Sequence, residues 1–199
     1  MIHIYTDGSA TSSRKGWAFT ALLNNEIIYE KAGCGTDKDT NQTMELLAVI
    51  EACDWAYNSE YIREHDITIW SDSAYVINCY NDRWYIGWIN NDWRNSKGEP
   101  VANVQHWKVL LRFFKNPRFI FLKVKGHSGH TYNERVDKLA KGEIKPNNDF
   151  DLTTSKKRST IKIELSQILL KNSMKKASIN DTIESIMDLM RREGVNLDE

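Results

Sequence analysis

The sequence predicts an α/β fold: a five-stranded mixed sheet, three antiparallel strands plus two parallel ones, flanked by helices and followed by a small C-terminal module. Three observations predict it. Residues 2–33 hold three β-rich runs, residues 41–59 switch to the apolar spacing of a helix, and two later short apolar runs each precede a helical segment. The resulting order, βββαβααβα, specifies a mixed sheet with helices on its faces.

Ile2 to Tyr5 is the first strand, ending at Thr6, Asp7 and Gly8. Gly16 to Leu23 and Glu26 to Gly33 complete an antiparallel meander, with Asn24 and Asn25 as the connecting turn. From Asn41 to about Ser59, Leu46, Val49, Ile50, Cys53 and Tyr57 recur at helical spacing. Glu45, Ala48, Ala52 and Ala56 form a small-residue stripe on the same helix, which allows close approach to a sheet. Ile67 to Trp70 is a short strand, and Ser71, Asp72 and Ser73 supply N-cap chemistry for a helix from Ala74 onward.

Aromatic residues then crowd a polar stretch through Tyr80, Trp84, Tyr85, Trp88 and Trp93, before a loop at 96–100. A helix from about Val101 to Phe114 precedes the strand Arg118 to Lys123. The loop Gly126, His127, Ser128, Gly129, His130 leads into a helix from Tyr132 to about Lys141, with Val136, Leu139 and Ala140 inward and Glu134 and Lys138 spaced as a surface ion pair.

Composition shifts after Gly142. Residues 1–144 read as the first domain, 145–158 as a basic polar linker, and 159–199 as a small strand-helix-helix or helical module. In that module Thr160 to Leu165 alternates with Ile161, Ile163 and Leu165 on one face, 166–177 is helical, and Asp181 with Glu184 opens a helix carrying Ile183, Ile186, Met187 and Met190. From Lys145 through Ser178 there are eight Lys or Arg against three acids, although the whole chain of 199 residues balances 27 basic against 27 acidic side chains. A nucleic-acid partner therefore has to be argued from local patches, not from net charge. No apolar run approaches the roughly 18 residues of a membrane span, and the start has no signal-like organisation, so a cytoplasmic protein is expected. Cys34, Cys53 and Cys79 lack CxxC spacing and lie in core-like segments, as reduced structural thiols do.

Four acids in four segments carry the functional signal: Asp7 in IYTDGSA, Glu45 in TNQTMELLAV, Asp72 in ITIWSDSAYV and Asp137 in NERVDKLAK. Each alone is ordinary turn, cap or helix-surface chemistry. Two end strands and two sit on helices with apolar faces, so all four can converge on one sheet edge. Converging carboxylates hold divalent cations, since their mutual repulsion otherwise raises their pKa values and destabilises the fold.

TDGS, TNQTMELLAVIEA, SDSAYV, PVANVQHW and VKGHSGHTYNERVDKLA, in this order, resemble the type 1 ribonuclease H family over residues 2–141. The resemblance implies a ribonuclease H-like fold and an endonuclease that hydrolyses the RNA strand of RNA/DNA hybrids, leaving 5′-phosphate and 3′-hydroxyl ends. By the same resemblance Asp7, Glu45, Asp72 and Asp137 are catalytic carboxylates for two Mg2+ ions, with Mn2+ able to substitute. Asp7 bridges the ions, Asp137 joins it on the side of the attacking water, and Glu45 with Asp72 holds the ion near the leaving 3′ oxygen. His127 matches the family's mobile proton-shuttling histidine, while His130 is read as loop structure.

Asn133 is expected to face the same site. Asn41 matches an asparagine that contacts the nucleic-acid backbone, and helix N-capping is an equally open role for it. Lys38, Thr40 and Asn103 match positions that grip a DNA phosphate. Trp84, Trp88 and Arg94 fall in the family's substrate-binding handle.

The chain also departs from the family pattern. Ala74 replaces the usual glutamine after DS, the first loop is the short TSSRKGW with Arg14 and Lys15 as possible phosphate contacts, and the expected basic cluster of the handle is Ile89, Asn90, Asn91 and Asp92. Fewer cations release fewer counterions, so weaker hybrid affinity is expected. The C-terminal segment resembles the ribbon-helix-helix fold, which would imply dimerisation or an added nucleic-acid contact, while the catalytic domain is expected to be monomeric. Two other readings stay open: a hybrid-binding protein without catalysis, opposed by the full set of carboxylates, and a DNA-processing nuclease on the same fold, opposed by the MEL helix, the tryptophan handle and GHSGH.

Overall fold

A computed structural model describes residues 1–126, 129–148, 185–189 and 192, without the side chain of Tyr61. The chain divides into two compact units, Met1–Phe150 and Asp151–Glu199. In the second, residues 185–189 are helical and Leu189 is buried. The rest of the C-terminal strand-helix-helix expectation lies outside the described residues.

The first unit is built on a sheet of order β3-β2-β1-β4-β5, with β1 (Ile2–Ala10), β2 (Lys15–Leu23), β3 (Glu26–Cys34), β4 (Ile67–Ser71) and β5 (Phe119–Lys123). The first three strands are antiparallel neighbours, and β4 and β5 add to β1 in parallel. Asn24 and Asn25 turn the β2–β3 hairpin with φ of 53° and 65°, the left-handed pair that asparagine tolerates. Parallel neighbours require crossover connections, which α1 (Asn41–Asn58), α2 (Ala74–Asn81), α3 (Trp84–Asn90) and α4 (Val104–Phe114) supply; α5 (Thr131–Lys141) follows β5.

The β2 strand is buried on both faces. On one side α5 closes a core of Tyr5, Ala18, Leu22, Val124, Val136, Leu139 and Ala140. On the other α1 lies over β1 and β2 and also packs on α4. Both the apolar residues Leu46, Val49 and Cys53 and the alanine stripe at 48, 52 and 56 are therefore buried.

One contact sets the distance between α1 and the sheet. A Cβ on Gly8 would lie 2.1 Å from the Glu45 backbone nitrogen and 2.2 Å from the Met44 carbonyl carbon. Only glycine admits an approach this close.

The α5 side of the sheet also contains a fully buried carboxylate, Glu30 on β3. Burial alone would raise its pKa, but hydrogen bonds from Arg135, the Asn147 amide and Thr20 hold it below the ordinary value. The chain beyond α5 is thereby tied to β3 at two atoms, because Asn148 Oδ1 also accepts from the Glu30 amide at 2.9 Å.

Four local expectations are corrected. The first strand runs on to Ala10, since β1 keeps pairing with β2 after it parts from β4 at Thr6. The aromatic stretch contains a helix, α3, whose side chains are all at least partly exposed. The following helix starts at Val104 because Asn103, with φ of 57°, ends the preceding loop. Tyr57 and Cys34 are exposed, as both stand at the ends of their elements, whereas Cys53 and Cys79 are buried free thiols as expected. Among the described residues no helix is long and apolar enough to cross a membrane.

Gly8→Ala is expected to destabilise the protein by about 1–3 kcal/mol through overpacking against helix backbone that cannot swing aside. A urea unfolding midpoint, compared with that of wild type at unchanged m-value, measures it.

Candidate active site

The pairing register brings the acids together. Thr6 of β1 faces Ser71 of β4, the last pair of their parallel ladder, so Asp7 and Asp72 follow on adjacent strands where the ladder opens. The α1 helix, held close at Gly8, presents Glu45 from one side, and α5 presents Asp137 from the other. All four line one open cleft of ≈ 370 Å³ with Gly8, Ser9, Asn41, Asn133, Glu134 and Lys141. Five acids and a single lysine line this cleft.

Each carboxylate has its own restraint. The Gly8 amide donates to Asp7 Oδ1 at 2.8 Å. Glu45 accepts from Ser73 Oγ at 2.6 Å and from Asn41 Nδ2 at 2.8 Å. Asp72 accepts from Asn133 Nδ2 at 3.4 Å, and Lys141 Nζ donates to Asp137 Oδ2 at 2.7 Å. Gly126 is closely apposed to Asp72, because a Cβ there would lie 2.8 Å from its Oδ2. His127 lies outside the described residues.

The comparison with known sequences decides the family, because the RNase H family model matches residues 1–145. The chain belongs to the RNase H family. A ribonuclease H of Syntrophomonas wolfei subsp. wolfei is 44% identical over 146 residues, spanning 72% of this chain and 96% of that protein. One from Acetivibrio thermocellus is 37% identical over 150 residues, 73% of this chain and 96% of its own. Among solved structures, the foamy viral protease-reverse transcriptase in complex with RNA/DNA hybrid matches with a TM-score of 0.59 at 26% identity, over 71% of this chain and 19% of that one.

Within this RNase H-family cleft the electrostatics follow from burial and like charge. Desolvation first, then the charges of Asp72 and Asp137, push the Asp7 carboxyl up to about 8. Burial also raises the pKa of Glu45, against the Ser73 hydrogen bond that lowers it. Among the described residues no three acidic, histidine or cysteine side chains are gathered closely enough to hold one ion. The donor set still fits a hard divalent cation. It is all oxygen, it concentrates negative charge, and the buried Asn133 Oδ1 beside it has no hydrogen-bond partner among the described residues.

The remaining predicted residues fall into two other groups. Thr40, not Asn41, caps α1, with its hydroxyl accepting from the Thr43 amide at 3.2 Å, so the capping role left open for Asn41 is corrected. Asn41 instead bridges the Ala10 amide and Glu45. Thr43 donates to Asn103 Oδ1 at 3.2 Å, which gathers Thr40, Thr43 and Asn103 near the start of α1, with Lys38 exposed just before it and none of them lining the acidic cleft.

In the handle, Trp88 packs on Trp107, Trp84 and Trp93, and Trp84 is exposed. Arg94 turns back to donate to the Gly98 carbonyl at 2.8 Å, so its guanidinium stabilises the handle loop. Ala74, the first residue of α2, is exposed. His130 is a loop anchor, with Nε2 3.2 Å from the Tyr5 hydroxyl.

Sequence reasoning missed two residues that line the cleft, Glu134 and Lys141, and one buried behind it, Ser73. Ser73 reads as an N-cap, which it is, but the same hydroxyl also donates to Glu45. Lys141 stands four residues after Asp137, and that spacing alone could have flagged it. Glu134, expected in a surface pair with Lys138, lines the cleft.

In the cation-free protein Asp7 binds its proton more tightly folded than unfolded. Its contribution to stability is therefore complete below its ordinary value of 3.8 and is lost as pH rises through about 8. Asp7→Asn is accordingly expected to leave Tm near that of wild type at pH 4 and to raise it by several degrees at pH 8, at roughly 2–4 °C per kcal/mol. Thermal scans in EDTA at the two pH values test the sign.

Proposed function

We propose that this chain is an endonuclease that hydrolyses the RNA strand of RNA/DNA hybrids and leaves 5′-phosphate and 3′-hydroxyl ends. The observation that carries the reading is the convergence of Asp7, Glu45, Asp72 and Asp137, from four separate elements, on one open cleft with a single lysine. The hybrid seen with the foamy viral relative supports the substrate class.

Two Mg2+ ions, or Mn2+, bound here would activate water and stabilise charge on the attacking and leaving oxygens of an in-line displacement at phosphorus. Asp7 would hold both, with Asp137 on the water side and Glu45 and Asp72 on the leaving-group side. Ser73 and Asn41 orient Glu45, and Asn133 orients Asp72. His127 takes up and returns protons, for which an imidazole near pH 6.5 is suited. Asn41, exposed at the cleft rim, contacts the RNA strand, where 2′-hydroxyls distinguish RNA from DNA. Lys38, Thr40 and Asn103 take a phosphate of the DNA strand, and Trp84, Trp88 and Arg94 form the handle.

The handle offers few cations. We assign the compensating contacts to the basic stretch 145–178, treat 159–199 as a separate module, and place the protein in the cytoplasm as a monomer through its catalytic unit.

With MgCl2 the protein is expected to cut only the RNA strand of labelled RNA/DNA, leaving RNA/RNA and DNA/DNA intact, and to lose activity in EDTA. Asp72→Asn should lower kcat by at least ~10²–10³-fold. Binding of hybrid without cleavage by wild type, or preferential cutting of duplex DNA, would overturn the reading. A chain ending at Phe150, which keeps the Asn147 and Asn148 ties to β3, should show a raised KM and a shallower salt dependence. Each lost phosphate contact removes about 0.9 from the log–log slope, and an unchanged slope would dismiss the role given to the basic stretch.

A further inference from the structure

We infer that the Glu30–Arg135 pair is a positioning device for Asp137 and Asn133, and through them sets how well the cleft binds its cations. The inference rests on the proposed reading of the cleft as a cation-dependent nuclease centre. Glu30 is at 0% exposure on β3, across from Thr20 on β2, in the sheet face that α5 covers. Its two oxygens accept four hydrogen bonds. Oε1 receives Thr20 Oγ1 at 2.9 Å and Arg135 Nε at 2.6 Å, while Oε2 receives Arg135 Nη2 at 2.8 Å and the Asn147 amide at 2.9 Å.

A buried ion pair is poor at explaining stability, because apolar residues of similar volume commonly serve as well or better. What a two-pronged guanidinium adds is direction. The α5 helix has 11 residues and grips the core through Val136, Leu139 and Ala140. Such apolar contacts resist separation more than rolling or sliding. Arg135 is two residues from both Asn133 and Asp137, about 200° around the helix from each. The fork thus fixes one flank of α5 while the cleft residues are presented on the other.

At roughly 6 Å from the helix axis, a roll of about 20° moves a carboxylate by about 2 Å. That exceeds the misplacement a metal ligand or a catalytic group tolerates. The far end of α5 has its own restraint, since Arg14 Nε donates to the Ala140 carbonyl at 3.4 Å. Near its start Tyr132 donates to the Asn25 carbonyl at 2.7 Å, and the ion pair adds the two-pronged restraint between Asn133 and Asp137.

MnCl2 titrated calorimetrically into wild type, Glu30→Gln and Arg135→Lys, alongside hybrid cleavage as a function of MgCl2, tests this. Both variants are expected to bind Mn2+ about tenfold more weakly, as outer-shell changes do, with a matching rise in the Mg2+ midpoint and an unchanged KM for hybrid at saturating Mg2+. Phe113→Leu, in the core outside the cleft, should lower Tm and leave Mn2+ affinity alone. Wild-type Mn2+ affinity in either folded variant overturns the proposal. Should Glu30→Gln fail to fold, Arg135→Lys, which keeps the charge and loses the fork, decides by the same titration. A wild type that neither binds Mn2+ nor cuts hybrid would instead overturn the reading of the cleft.

Discussion

The close approach of α1 to β1 at Gly8 is the constraint on which the rest of the cleft depends. Any side chain on the strand at this point would have to displace the Met44 and Glu45 backbone of α1, and with it the Glu45 carboxylate. At Gly8 the strand offers no side chain, and the helix answers with alanines at 48, 52 and 56, all fully buried. The fold thereby concentrates negative charge at its own expense. Asp7, pushed up to about 8, records that cost at a single group, and a cation is the natural means of relieving it.

Most of the sheet was legible in the sequence because its signals are local. The Asn24–Asn25 turn, the alternation in the first three runs and the cap at Ser73 each involve a few neighbouring residues. The exposed α3 was not legible as a helix, since residues such as Trp84, Ile86 and Ile89 do not mark a buried face. Tyr57 misled for the complementary reason. Its spacing fits the apolar stripe of α1, but the helix outruns its cover there.

The convergence of the four carboxylates was legible only jointly, through ordered motifs, since no single acid departs from turn or cap chemistry. Their partners were less so. Lys141 and Ser73 can be placed by spacing, but the link from Arg135 to Glu30 spans 105 residues and depends on which face of β3 α5 covers. The handle illustrates the limit of motif matching in another way. Trp84 and Trp88 pack against each other, but Arg94 folds back onto its own loop, so one of the few cations there is spent on local structure.

The tie between the chain beyond α5 and β3 has a consequence unrelated to catalysis. β3 is an edge strand of the sheet, and the outward amides of an edge strand are a template for pairing with an extended peptide. The Glu30 amide is already taken by Asn148 Oδ1, and the Asn147 backbone lies against the Glu30 carboxylate. The first residues after α5 therefore act as a guard along this margin of the sheet, obstructing strand addition by a neighbouring molecule midway along β3.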